Sequence, residues 1–315
     1  MMDLLVVIAQ TVLVALLAPV WAGAVSVVRA RLQGRRGAPL LQRWRDLRKL
    51  AGKETVWSED ASPLARVVPT AVLGATFVAA ALVPVLSTAP GLGFAGDLLL
   101  LVALLAIVRV LLSLLALEAG TAFGGMAASR HLMLAALAEP ALLLSLLTLA
   151  IAPGSTQLAD IARTVAAAPL SWLSPAHLLA ATAMGFVVLA EIGRVPVDNP
   201  VTHLELTMVH EGLVLDVSGP PLAHLEWASH VRTLVLLTLL TNLFVPWGLA
   251  PAGAGWGALG LALLAWLAKL GVLAVVIAVI ESVTARMRLF RVPEFLGMAF
   301  LLALLALTTD SLLRG

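Results

Sequence analysis

LLVVIAQTVLVALLAPVWAGAVSVV, residues 4–28, carries no charged side chain and is followed at once by Arg29 and Arg31. About 20 mostly apolar residues cross a bilayer core as a helix, so this run is long enough to span. A cleaved leader places its cations first and has a shorter apolar stretch. Here Met1, Met2 and Asp3 bring no side-chain cation, and the arginines come after. The segment reads as a retained first membrane helix with its N-terminus outside. Seven similar runs follow, at roughly 64–88, 98–117, 132–153, 176–193, 233–250, 257–281 and 295–313. The expected fold class is an all-α integral membrane protein of about eight transmembrane helices, one membrane domain over residues 1–315.

The whole composition agrees. Of 315 residues, 61% are hydrophobic and 12% charged, against about half and a quarter in soluble domains. Mean hydropathy is +1.04. The absence of cysteine excludes a disulfide scaffold and any protein-held iron–sulfur cluster or thiolate zinc site on this chain. A net charge of +2 gives no reason to expect nucleic acid.

Where the cations sit is more telling than their number. Ten lie in the first loop: Arg29, Arg31, Arg35, Arg36, Arg43, Arg45, Arg48, Lys49, Lys53 and Arg66. Arg130, Arg194, Arg232, Arg286, Arg288 and Arg291 fall on the same side, making 16 of 20, while Arg163 and Arg314 lie opposite. The positive-inside rule makes the basic side cytoplasmic, with both termini outside. Within the basic loop, residues 29–63, the stretch PLLQRWRDLRKL places Leu40, Leu41, Trp44, Leu47 and Leu50 at helical spacing with Arg43, Arg45, Arg48 and Lys49 between them. That pattern predicts an amphipathic interfacial helix. It would serve as an anchor on anionic lipid or, through Arg35, Arg36 and Arg43, as a seat for a cytoplasmic partner.

Ionisable groups within the bilayer are costly and default to functional hypotheses. Arg109 and Lys269 fall near the middle of their runs, and Glu139 about 10 Å in from the basic side at 1.5 Å per residue. Glu118, Glu191 and Glu281 end the third, fifth and seventh runs. Arg109 and Glu118, nine residues apart, point to opposite faces of one helix, so their partners must lie elsewhere. The loop over 191–232 holds Glu191, Asp198, Glu205, Glu211, Asp216 and Glu226 with His203, His210, His224 and His230, amid Leu, Val and Met. Such apolar content predicts a loop folded on the bundle, its acids lining a cavity. Carboxylates gathered in low dielectric raise one another's pKa, which suits proton hand-over. Glu118, Glu139, Glu191, Asp198, Glu205, Glu211, Asp216 and Glu281 are the expected proton pathway. No HExxH pattern is present, and no metal site is expected.

Four blocks carry a resemblance: Arg31–Val56, Glu118–Pro140, Glu191–Gly219 and, more weakly, Glu281–Gly297. The chain resembles the membrane subunit family that includes subunit 1 of respiratory complex I and subunit 4 of formate hydrogenlyase. The NPxTHLELTM version of the third block, with Asn199, Val201 and His203, is similar to the hydrogenase branch. Two positions depart from the family pattern: Asp216-Val217-Ser218-Gly219 replaces Glu-Tyr-Ser-Gly, and Ser129-Arg130-His131 replaces Ser-Arg-Glu. The missing tyrosine argues against a quinone-headgroup role. The resemblance implies a coupling subunit in a bacterial or archaeal cytoplasmic membrane. It would lie beneath cytoplasmic hydrogenase-like and iron–sulfur subunits that hold nickel–iron and iron–sulfur centres, and beside antiporter-like membrane subunits. Arg194 and His203 join Arg35, Arg36 and Arg43 as implied docking residues. Electron transfer in the partners would drive proton or sodium movement through the acids.

Two other functions compete. A stand-alone proton-coupled transporter would use Glu139, Arg109 and Lys269, but such folds show internal repeats and none is visible. A structural anchor for a soluble oxidoreductase leaves the six loop acids unexplained.

Overall fold

The computed structural model describes residues 2–57, 61–88, 95–167, 173–195, 197–198, 209–245, 247–285, 287 and 291–314. Among them are ten α-helices: α1 (Met2–Leu32), α2 (Gln42–Ala51), α3 (Pro63–Leu82), α4 (Leu98–Glu118), α5 (Ala122–Ile151), α6 (Leu158–Ala167), α7 (Pro175–Glu191), α8 (Gly219–Phe244), α9 (Trp256–Val283) and α10 (Val292–Arg314). No strand occurs among the described residues. Six helices, α1, α3, α4, α5, α9 and α10, are long and apolar enough to cross a membrane. The apolar α7 is shorter, at 17 residues, and α8 is polar in its first half and apolar in its second.

Each expected run falls on a helix, but several ends move. The run read from 132 starts at Ala122, after a turn in which Gly120 has φ +63° and the Thr121 hydroxyl accepts from Gly124 N. The run read from 233 starts at Gly219, with Ser218 as N-cap and prolines in the first turn, where their missing N–H costs nothing. Arg130 and Arg232, read as loop cations, are therefore helical. The run read to 88 leaves its helix at Leu82.

Proline within α1 organises one corner of the bundle. Pro19 cannot donate to the Ala15 carbonyl four residues back. That carbonyl accepts instead from the Trp227 indole on α8 at 2.9 Å, and the neighbouring Leu16 carbonyl from the Trp44 indole on α2 at 3.2 Å. The two indoles meet edge-on, 5.7 Å between centroids. The chain reaches α2 by folding back along α1. The Leu40 carbonyl passes so close to Gly23 that a Cβ there would lie 2.1 Å from it. The amphipathic helix expected from the basic loop thus exists and is strapped to α1 and α8.

The core joins the apolar faces of α1, α3, α4, α5, α7, α8, α9 and α10, with Trp266, Leu98, Leu142 and Met184 among its fully buried side chains. At the end away from the basic loop, α8 finishes with its last carbonyls taken by cations and rings. Lys269 Nζ donates to the Asn242 Oδ1 at 2.8 Å and the Val245 carbonyl at 3.1 Å, while His177 Nε2 lies 2.9 Å from the Phe244 carbonyl. Asn242 in turn donates to the Pro84 and Val85 carbonyls, where α3 has given way to loop. Lys269, expected as a buried cation, is thus held by carbonyl groups.

Candidate functional site

Arg109 lies in the middle of α4, 1% exposed, and four helices supply its surroundings. Its Nη1 donates to Glu139 Oε1 on α5 at 2.5 Å. Its Nε donates to Glu191 Oε2, at the end of α7, at 3.2 Å. Arg232 on α8 reaches the same glutamate, with Nη2 3.3 Å from its backbone carbonyl and Nη1 3.9 Å from Oε2. Two guanidiniums and two carboxylates therefore interlock α4, α5, α7 and α8. A buried ionised carboxylate is tolerable only when paired, which is why the acids alternate with arginines and do not gather alone. Among the described residues, Arg109 Nη2 and Arg232 Nη1 are buried without a hydrogen-bonded acceptor. Arg109 Nη2 is 3.2 Å from Glu191 Oε1, near enough for charge attraction but not aligned for a hydrogen bond. The cluster keeps hydrogen-bonding capacity that the described residues do not use.

Glu139 is the accessible member, its side chain 33% exposed against 8% for Glu191. Its exposed part opens on the flank of α5, midway along that helix. Toward the basic end the cluster leads to a cavity of about 200 Å³ between α1, α8 and the segment after α7. Asp198, His210, Glu211, Glu226, His230 and Arg194 are on its wall, with Arg29, Arg43 and Arg232. His131 on α5 lies between cavity and cluster, its ring centroid 5.8 Å from that of His210 and its Nδ1 3.1 Å from Ser113 Oγ. Gly193, at φ +60°, leaves the room that the His210 ring occupies. Asp198 Oδ2 accepts from Val209 N at 3.2 Å and is 3.6 Å from His210 Nδ1. In the part of α8 that precedes its apolar half, burial pushes the Glu226 carboxyl up and the His230 imidazole down to about 4.

The expected site residues divide. Glu139 and Glu191 meet at Arg109, and Asp198 and Glu211 line the cavity. Glu281, on α9, is 2% exposed in its side chain and held between Arg29 at 3.1 Å and Arg194 at 3.0 Å. Arg194, expected to face a docking partner, is instead turned inward: its charge neutralises a buried acid. Glu118 and Asp216 stand apart, the first accepting from Ser62 N at 2.7 Å, the second from the Thr121 hydroxyl at 2.9 Å. Arg35 and Arg36 are exposed on the turn before α2, while Arg43 faces the cavity. Glu205 and His203 lie outside the described residues. Sequence reading does not place Arg232 or His131 in the site, and it offers His210 only as a metal ligand, with His203, Glu205 and Glu211, in a pattern that lacks HExxH. Arg232 was visible only as one more cation in a loop, and nothing local in the sequence marks His131 and His210 as neighbours.

Residues 3–309 match the NADH dehydrogenase family. The chain is 35% identical to formate hydrogenlyase subunit 4 of Escherichia coli (strain K12) over 305 residues, 97% of this chain and 98% of that one. It is 33% identical to hydrogenase-4 component C of the same organism over 300 residues, 95% and 93% of the two chains. Its fold is shared, with a TM-score of 0.78 at 19% identity, by a chain of the membrane-bound sulfane sulfur reductase, an archaeal respiratory membrane complex; 98% of this chain and all of that one are covered. The chain belongs to the NADH dehydrogenase family.

Proposed function

We propose that the chain is the membrane coupling subunit of a formate hydrogenlyase-like or hydrogenase-like complex, linking electron transfer in partner subunits to ion movement across the membrane. One observation carries the reading: a charged cluster, Glu139–Arg109–Glu191–Arg232, runs from a polar cavity to the flank of an otherwise apolar bundle. An anchor has no use for such a path, and a buried ion pair is weak as a stabilising device. In this reading the cavity end is cytoplasmic, in keeping with the cation bias, and both termini are outside. Protons, or sodium in their place, enter by Asp198, Glu211 and Glu226, pass His210 and His131, and reach Glu191 and Glu139. Burial favours the protonated Glu226 carboxyl on the cavity wall, which supports proton entry there.

Glu139 opens on the flank of α5. A carboxylate facing lipid is expensive, so this flank suits a neighbouring membrane subunit of antiporter type that receives the ion. With no cysteine on the chain, the nickel–iron and iron–sulfur centres belong to hydrogenase-like and iron–sulfur partners seated at the basic end.

The test uses the whole complex in proteoliposomes. Glu139→Gln and Glu191→Gln keep size and hydrogen bonding but carry no ionisable proton. Each variant should assemble and pass electrons to soluble dyes at the normal rate while ion translocation falls. Full translocation in both variants overturns the proposed path.

A further inference from the structure

A second concavity lies outside this path. Between α2 and the first turns of α8 is a cleft of about 590 Å³. Leu41, Trp44, Leu47 and Ala51 form one wall, Ala223 and Trp227 the other, with Arg45, Arg48 and His224 at its rim. Arg45 and Arg48 are exposed, and among the described residues neither has a carboxylate within ion-pair distance. The acid between them, Asp46, accepts from Gln42. The cleft therefore pairs an apolar floor with two cations that no described carboxylate pairs.

Its depth follows from α1. At 1.5 Å per residue, about 20 residues cross the hydrocarbon core. Helix α1 has 31. The chain entering α2 passes Gly23, where a span begun at Leu4 would end, while the Trp44 and Trp227 indoles bond the Leu16 and Ala15 carbonyls, about 10 Å further in at 1.5 Å per residue. The indoles thus lie at the depth of acyl chains, below the level at which α2 begins.

We propose that this cleft is a binding site for an anionic phospholipid, one acyl chain lying against the two tryptophans and the phosphate between Arg45 and Arg48. Arginine suits phosphate because its planar fork donates two parallel hydrogen bonds. Charge selects the lipid, and two cations at a membrane surface favour an anionic over a zwitterionic headgroup by about tenfold to thirtyfold. The proposal needs a membrane reading of the chain but not the ion path, so either can fail alone.

The test reconstitutes the whole complex in phosphatidylcholine vesicles containing a minor fraction of brominated phosphatidylglycerol or, in parallel, brominated phosphatidylcholine. Bromine quenches nearby indoles, and Trp44→Phe identifies the component that Trp44 supplies. Quenching of that component should be severalfold stronger with the anionic lipid. It should fall to the phosphatidylcholine level in Arg45→Ala/Arg48→Ala and persist in Arg45→Lys/Arg48→Lys, with ion translocation intact in all. Equal quenching by the two lipids overturns the proposal. So does quenching that appears only after the soluble subunits are stripped, which would assign the cleft to a protein partner.

Discussion

Arg109 shows how much one side chain can organise in a low-dielectric interior. Its guanidinium is planar and takes Glu139 with one nitrogen and Glu191 with others, so it joins α4 to both α5 and α7. A lysine would bring a compact ammonium on a flexible stem in place of this rigid planar fork. Removing one partner of a buried pair leaves a charge without compensation, at a cost of about 3–5 kcal/mol. Arg109→Met should therefore lower the thermal midpoint of the purified complex sharply, and adding Glu139→Gln, which leaves Glu191 paired with Arg232, should restore much of the loss. A destabilisation that this neutralisation leaves unchanged would show that packing around the arginine matters more than its charge. The need for distant partners was legible in the sequence, because Arg109 sits mid-run and cannot reach Glu118. Which partners they are was not. Glu139, Glu191 and Arg232 converge through the packing of separate helices, and no local spacing encodes that meeting.

Helices carry a different kind of signal. Their apolar cores were readable because a spanning segment must be apolar wherever it meets lipid. Their polar ends were not. The first turns of α5 and the first half of α8 hold Arg130, Glu226 and Arg232, which hydropathy scores as loop, although Thr121 and the Ser218-Gly219-Pro220-Pro221 start are ordinary helix-start residues. The basic amphipathic helix was readable from its period. Its strapping against α1 rests on one glycine and one proline, which sequence shows only as punctuation. Because any Cβ at Gly23 would collide with the Leu40 carbonyl, Gly23→Val should push α2 away from α1. Trp44 then loses the Leu16 carbonyl, and limited trypsin digestion of membranes should cut at Arg45 and Arg48 faster than in the wild type. An unchanged digestion rate would show that α2 is held elsewhere.

At the scale of the molecule, the cation asymmetry and the helix order together predict a topology. Arg163 lies in α6 and Arg314 at the end of α10, both away from the basic loop in the cation reading. Arg130 stays toward the basic end of α5, whereas Arg232 lies midway along α8 and drops out of the loop count, which leaves the bias in place. Reporter fusions after Arg36 and at the C-terminus should therefore report opposite sides, the first cytoplasmic. Two fusions on the same side would remove the eight-span reading. Fold class was legible at this scale because lipid imposes composition on the whole chain. The cavity was legible only as a surplus of acids in an apolar loop, since its walls come from α1, α8 and the segment after α7.

The four-helix cluster also has an arithmetic of charge. Arg109 and Arg232 balance Glu139 and Glu191 only when both acids are ionised. One arriving proton leaves a lone positive charge in a place where water screens it poorly, and a second would have to enter against it. Such a station holds a single passenger: the first must step off toward the flank before the next can board, and traffic through it is counted one ion at a time.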